Sequence, residues 1–142
     1  VDFEIDVSAA KLVFAKSVSN LLIFSTDGLF PTKSDNKTSL TVGKSFSKTK
    51  IEDRKLFSLD RLKQLPIEVI NIEETNEISI DGISGYEIIA TSKDKKTSEP
   101  EKAYMVLLFS DSLYYILFGS TNQDFENNIT NLKKTVKTFK RK

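Results

Sequence analysis

Two nearly continuous apolar runs, Tyr104–Phe109 and Leu113–Phe118, stand either side of a short polar turn, Ser110-Asp111-Ser112. Runs of this length around such a turn are the two arms of a β-hairpin. Because both faces of each arm are apolar, the hairpin belongs in the middle of a sheet that is covered on both sides. The rest of the chain has to supply neighbouring strands and two covers.

One cover is legible near the C-terminus. Phe125, Ile129, Leu132, Val136 and Phe139 step by four, three, four and three residues, which makes one apolar stripe on a helix. Asp124 and Glu126 suit the positive end of its dipole, and Lys133, Lys134, Lys137 and Lys140 the negative end. Thr121 or Asn122 is the expected cap. Burying the stripe contributes on the order of 10 kcal/mol as an upper bound. A second, shorter helix is expected over Leu59–Leu65, capped by Ser58, stapled by Phe57 and Leu62, and stopped by Pro66.

Further strands come from shorter patterns. Val1–Val7 alternates apolar with acidic residues. Leu12–Phe14, Leu21–Phe24 and Ser39–Phe46 read as strands, with a turn at Asp27-Gly28 and a polar loop over Pro31–Thr38. Ile67–Glu73 is a strand with Ile67 and Val69 on one face and Ile70 and Ile72 on the other. Ile78 and Ile80 begin another before Asp81-Gly82, and Tyr86–Ala90 continues after it. Lys93–Lys102 is a charged loop. The sum is a single domain over residues 1–142, of α+β class, with a central antiparallel β-sheet covered by helices. Residues 1–30 are the least constrained part.

Composition excludes several chemistries. The 142 residues contain no His, no Cys and no Trp. Ser-His-Asp and Cys-His nucleophilic sites are therefore ruled out, along with disulfides and thiolate metal centres. The 21 basic residues nearly balance the 20 acidic ones, unlike a nucleic-acid-binding domain. Neither phosphate-binding glycine loop occurs, and Ser34-Asp35-Asn36-Lys37 crowds two penicillin-binding-type motifs onto the same residues without a K-T-G partner.

Three groups of residues are left as candidates. Glu73, Glu74, Glu77 and Asp81 form a carboxylate cluster that acid–base or hard-cation chemistry would use, or that simply solvates a strand end. The basic stretch Lys133–Lys142 suits a helix end, or an anionic membrane surface. Tyr86, Tyr104, Tyr114 and Tyr115 fall on expected strands, and Tyr rings with wet hydroxyls favour interfaces. Tyr114 and Tyr115 point opposite ways, so one faces a helix and the other is open to an exposed face. We take Tyr86, Tyr104, Tyr114 and Asp81 as a candidate partner surface.

Three stretches, Ile80-Asp81-Gly82-Ile83-Ser84-Gly85-Tyr86, the hairpin over Tyr104–Gly119, and the closing Thr138-Phe139-Lys140, resemble the PsbP-like superfamily across Ile67 to Lys140. The resemblance implies a PsbP-like α/β/α sandwich and a non-enzymatic binding or assembly factor. Many members are exported or are lipoproteins, and a eukaryotic relative binds a small GTPase. The family's early Trp-containing segment has no counterpart here, and no metal or GTPase site carries over.

We therefore expect a non-catalytic binding or assembly module, monomeric, without a cofactor, that meets a protein partner and not nucleic acid. A removed signal peptide is one route to a chain that starts at Val1, and fits an exported, periplasmic protein. The alternatives are a membrane-anchored lipoprotein domain with peripheral membrane association, and a small carboxylate-based or cation-dependent hydrolase. The hydrolase requires a concave pocket holding at least two of Glu73, Glu74, Glu77 and Asp81.

Overall fold

The computed structural model describes the whole chain, Val1–Lys142. The strands are β1 (Phe3–Glu4), β2 (Val13–Val18), β3 (Leu21–Ser25), β4 (Ser39–Ser45), β5 (Ile67–Ile80), β6 (Ile83–Asp94), β7 (Pro100–Phe109), β8 (Tyr114–Thr121) and β9 (Lys140–Arg141). The helices are α1 (Arg54–Lys63) and α2 (Phe125–Val136). Seven strands form one antiparallel sheet in the order β2-β3-β4-β8-β7-β6-β5, and β1 pairs with β9 beside it. The apolar hairpin is β7–β8, in the sheet interior, with Val106 opposite Leu117.

Each face carries one helix and one cluster of buried side chains. Under α2 lie Leu40, Val42, Tyr104, Val106, Leu108 and Leu117, met by Ile129, Leu132 and Val136. Under α1 lie Ile88, Met105, Leu107 and Ile116, met by Leu62. The cover is partial. α1 packs on β5, β6 and β7, and α2 on β7, β8 and the 3-10 turn at Ser8–Ala10, so the helices cover the β5–β8 half of the sheet far more than the β2–β4 half.

Several expected elements differ from those observed. α1 starts at Arg54, because a 3-10 turn over Ile51–Asp53 runs straight into it. Ser58 is therefore inside the helix and does not cap it: its hydroxyl donates to the Arg54 carbonyl one turn back, at 2.8 Å. Phe57 is no staple; it packs edge-on against Phe109 and Tyr114. The two strands expected over 67–80 are one, since β6 offers a partner along the full length. Bulges between Val69 and Asn71 and between Ile72 and Glu74 put Ile67, Val69 and Ile72 on the α1 face, while Ile78 and Ile80 face α2. Ile70 is left outside. The charged loop shrinks to the turn between Asp94 and Pro100. Thr121 and Asn122 do not cap α2: Thr121 bonds Thr38, and Asn122 bonds Asp35 and Glu99.

The first residues are tied down. Phe3 is buried between Tyr115 and Phe139, with ring centroids 6.3 and 5.6 Å away. Of the Val1–Val7 alternation, only Phe3–Glu4 finds a strand partner.

Candidate functional site

The expected tyrosine surface is not a surface. Tyr104 is fully buried on the α2 face and donates to Glu87 Oε2 at 2.8 Å. Burial, and then that bond, hold its phenol well above the ordinary range. Tyr114 is buried against α1, where it accepts from Arg61 Nε at 3.1 Å. Tyr115 points the other way, as the pleat requires, into the Phe3–Phe139 stack, so neither of the pair lines an open face. Both hydroxyls of the corrected pair, Tyr104 and Tyr114, meet protein partners that lie far away in sequence. Tyr86 alone of the proposed rings is half-exposed, and Asp81 is exposed at the β5–β6 turn. Asp81 is already engaged, accepting from the Arg141 backbone N at 2.9 Å and from Arg141 Nε at 3.0 Å.

The carboxylate cluster is dispersed along β5. Glu73 accepts from Thr91 Oγ1 at 2.8 Å and Lys102 Nζ at 3.1 Å, which together hold its carboxyl below the usual range. Of the four carboxylates, only Glu77 lines a cleft of about 440 Å³ beside α1.

One carboxyl outside this cluster is shifted in the opposite direction. Burial, and then Asp94 and Glu99, push Glu101 up to about 7. The unfolded chain releases this proton near the ordinary Glu value. Stability is thus unaffected below that value, falls as pH rises toward 7, and stays reduced above it. Partial exposure limits the effect to ~1 kcal/mol. We expect Glu101→Gln to raise the melting temperature at pH 8 by ~2–4 °C and to leave it unchanged at pH 4. An equal gain at both pH values in thermal melts would reject the titration.

The sheet has two open edges, and they are treated differently. β5 carries two bulges and Glu68, Glu73, Glu74 and Glu77, devices that discourage strand addition. β2 has one bulge and a single charge, Lys16. Around it stand exposed Val13, Phe14, Val18, Leu29 and Phe30, each about half accessible, with Lys16 Nζ 5.5 Å from the Phe30 ring. The loop bearing Leu29 and Phe30 is held in shape by Asp27. Its carboxylate accepts from Thr32 Oγ1 at 2.7 Å and from the amides of Leu29, Lys33 and Ser34, and stays ionised well below the usual range. Gly28, at φ +73°, lays the loop against Val13. Sequence reasoning missed this patch. The available signal was Leu29-Phe30, an apolar pair between Gly28 and Pro31 in an otherwise polar stretch.

No protein-family model matches the chain, and no curated protein matches it. Solved structures do. One is PA94 from Pseudomonas aeruginosa, a protein of unknown function, at a TM-score of 0.60 and 13% identity over 87% of this chain and 84% of that one. A protein from Bacteroides thetaiotaomicron VPI-5482 is similar at a TM-score of 0.50 and 7% identity; the match covers 99% of this chain and 42% of that one, so this chain spans less than half of its length. Cyanobacterial PsbP (CyanoP) from Synechocystis sp. PCC 6803 aligns at a TM-score of 0.49 and 15% identity over 99% of this chain and 91% of that one. At such identities the likeness extends to architecture alone, and what this chain has in common with PA94 is its α+β fold.

Proposed function

We propose that the chain is a non-catalytic binding module that takes an extended segment of a protein partner as an added strand along β2. The observation that carries this is the contrast between the edges: β5 is bulged and acidic, whereas β2 is bordered by Val13, Phe14, Val18, Leu29 and Phe30. Strand addition draws affinity from main-chain hydrogen bonds and specificity from alternate side chains. The apolar border and Lys16 select a segment in which apolar residues alternate with acidic ones. An exported setting, as in the PsbP-like expectation, suits such a module.

The test is a selection of short extended peptides on the folded chain, followed by amide chemical-shift mapping of the best binder. The shifts should concentrate in β2 and β3, and Phe14→Glu or Val18→Glu should weaken binding at least ~10-fold, the equivalent of ~1.4 kcal/mol. Ile70→Glu, on the β5 edge, should have no effect. Shifts centred on β5, or selection of no peptide at all, would rule the reading out.

A further inference from the structure

The chain has three arginines, and two of them have protein acceptors. Arg61 Nε donates to the Tyr114 hydroxyl, and Arg141 donates to Asp81. Arg54 is different. Its Nε is buried with no hydrogen-bond acceptor, and its guanidinium is in no ion pair. Buried polar groups are satisfied as a rule, so an orphan donor of this kind asks for an explanation.

The side chain is not loose. Arg54 opens α1 and its Cζ lies 5.1 Å from the Phe109 ring centroid, which fixes the guanidinium over an aromatic face. It also lines the cleft of about 440 Å³ formed between the start of α1 and the β5–β6 hairpin. Ser79, Ser84 and Tyr86 bring polar groups to the same cleft, Ile51 brings apolar surface, and Glu77 brings a negative charge. A rigid guanidinium without an acceptor, facing a mixed polar and apolar cleft, has the make-up of a small-ligand site.

We propose that this cleft binds a carboxylate carried on an apolar group, with the carboxylate on the Arg54 guanidinium and the apolar part against Ile51 and the Tyr86 ring. The Arg fork matches the planar carboxylate in two parallel hydrogen bonds. Phosphate is the poorer fit. A single cation serves the cleft, Glu77 stands in its wall, and Glu52 and Asp53 precede Arg54 in the chain, so a dianion would meet more repulsion than attraction. The carboxylate belongs either to a free organic acid or to the C-terminus of a peptide. The site lies at the end of the sheet away from β2, so it stands apart from the partner edge proposed above.

The experiment follows the Nε–Hε resonances of the three arginines in the nitrogen-15-labelled full chain. The probes are benzoate, hexanoate, acetyl-Gly-Phe with a free C-terminus, the same peptide as its amide, and inorganic phosphate. We expect the Arg54 resonance alone to shift saturably with a carboxylate probe, at a midpoint of ~1 mM or tighter. Response to benzoate or hexanoate identifies a free acid; response to the peptide acid but not to these identifies a chain terminus. Arg54→Lys keeps the charge and loses the fork, and should weaken binding at least ~10-fold. Tyr86→Ala, which removes apolar surface and leaves the guanidinium, should weaken it less. The proposal fails if no probe moves Arg54 at ~20 mM, some 20 times the expected midpoint. It also fails if Arg141 moves equally, or if phosphate or the peptide amide binds as well as the carboxylates.

Discussion

Gly85→Ala will cost this fold more than ~4 kcal/mol, well outside the ordinary range for a point substitution. Gly85 sits in β6 between Ile78 of β5 and Leu108 of β7. A Cβ built there falls 1.7 Å from the Leu107 carbonyl oxygen and 2.7 Å from its carbon. Those are backbone atoms of an interior strand, and no side-chain rotation relieves the overlap. β6 and β7 must part, breaking ladder hydrogen bonds beneath both helices. Against a total stability of ~5–15 kcal/mol, much of the chain would be unfolded. In urea denaturation we expect the midpoint to fall by ~2 M, or soluble protein to be lost altogether. Gly82→Ala is the control. Gly82 has φ +72° and nothing within 4 Å of its built Cβ, so only the left-handed backbone penalises a side chain there, by ~1–2 kcal/mol. Equal effects at the two glycines would mean that the close approach of β6 to β7 is not what excludes a side chain.

Phe139→Ala is expected to cost ~3–5 kcal/mol by a different route. Phe139 is almost fully buried one turn beyond α2, and its ring lies 5.1 Å from Tyr115 and 5.6 Å from Phe3. Truncation leaves a cavity at the point where both chain ends meet the sheet. The loss should therefore appear twice: as a lower global midpoint, and as faster amide exchange at Phe3, Glu4, Lys140 and Arg141, the residues of the β1–β9 pair. Phe139→Leu fills most of the space and should retain more than half of the stability lost by the alanine variant. Faster exchange across the β7–β8 hairpin, without a local change at β1–β9, would contradict this account.

These two positions were unequally legible. The α2 stripe could be read because helical spacing repeats over three turns, and Ile129, Leu132 and Val136 are buried as that spacing requires; the helix ends at Val136, short of the expected Phe139, which is buried from the segment leading into β9. The β7–β8 hairpin was legible for the same kind of reason, since its apolar runs are long and its turn is polar. Bulges have no such signature: a single extra residue after Val69 left Ile70 unpaired and outside and moved Ile72 to the face of Ile67 and Val69, and another after Ile72 shifted the faces of the residues beyond it. Ser58 misled because Ser caps helices and also tolerates a bond to the carbonyl one turn back. The tyrosines misled because a hydroxyl marks an interface only when no partner awaits it inside. Glu87 and Arg61 are 17 and 53 residues away from the rings they satisfy, beyond any local pattern. Arg54 was invisible for the opposite reason: its meaning lies in an acceptor that the fold withholds.

The β1–β9 pair has a mechanical consequence. Phe3 faces Arg141 and Glu4 faces Lys140, so Val1 and Lys142 leave the pair at the same end. A tension applied between the two chain ends would load these bonds one after another, as in opening a zip, rather than all together in shear. The clasp would yield first and at low force, Phe3 would be drawn out of its aromatic stack, and the seven-stranded sheet behind it would be spared until the chain ends had already come apart.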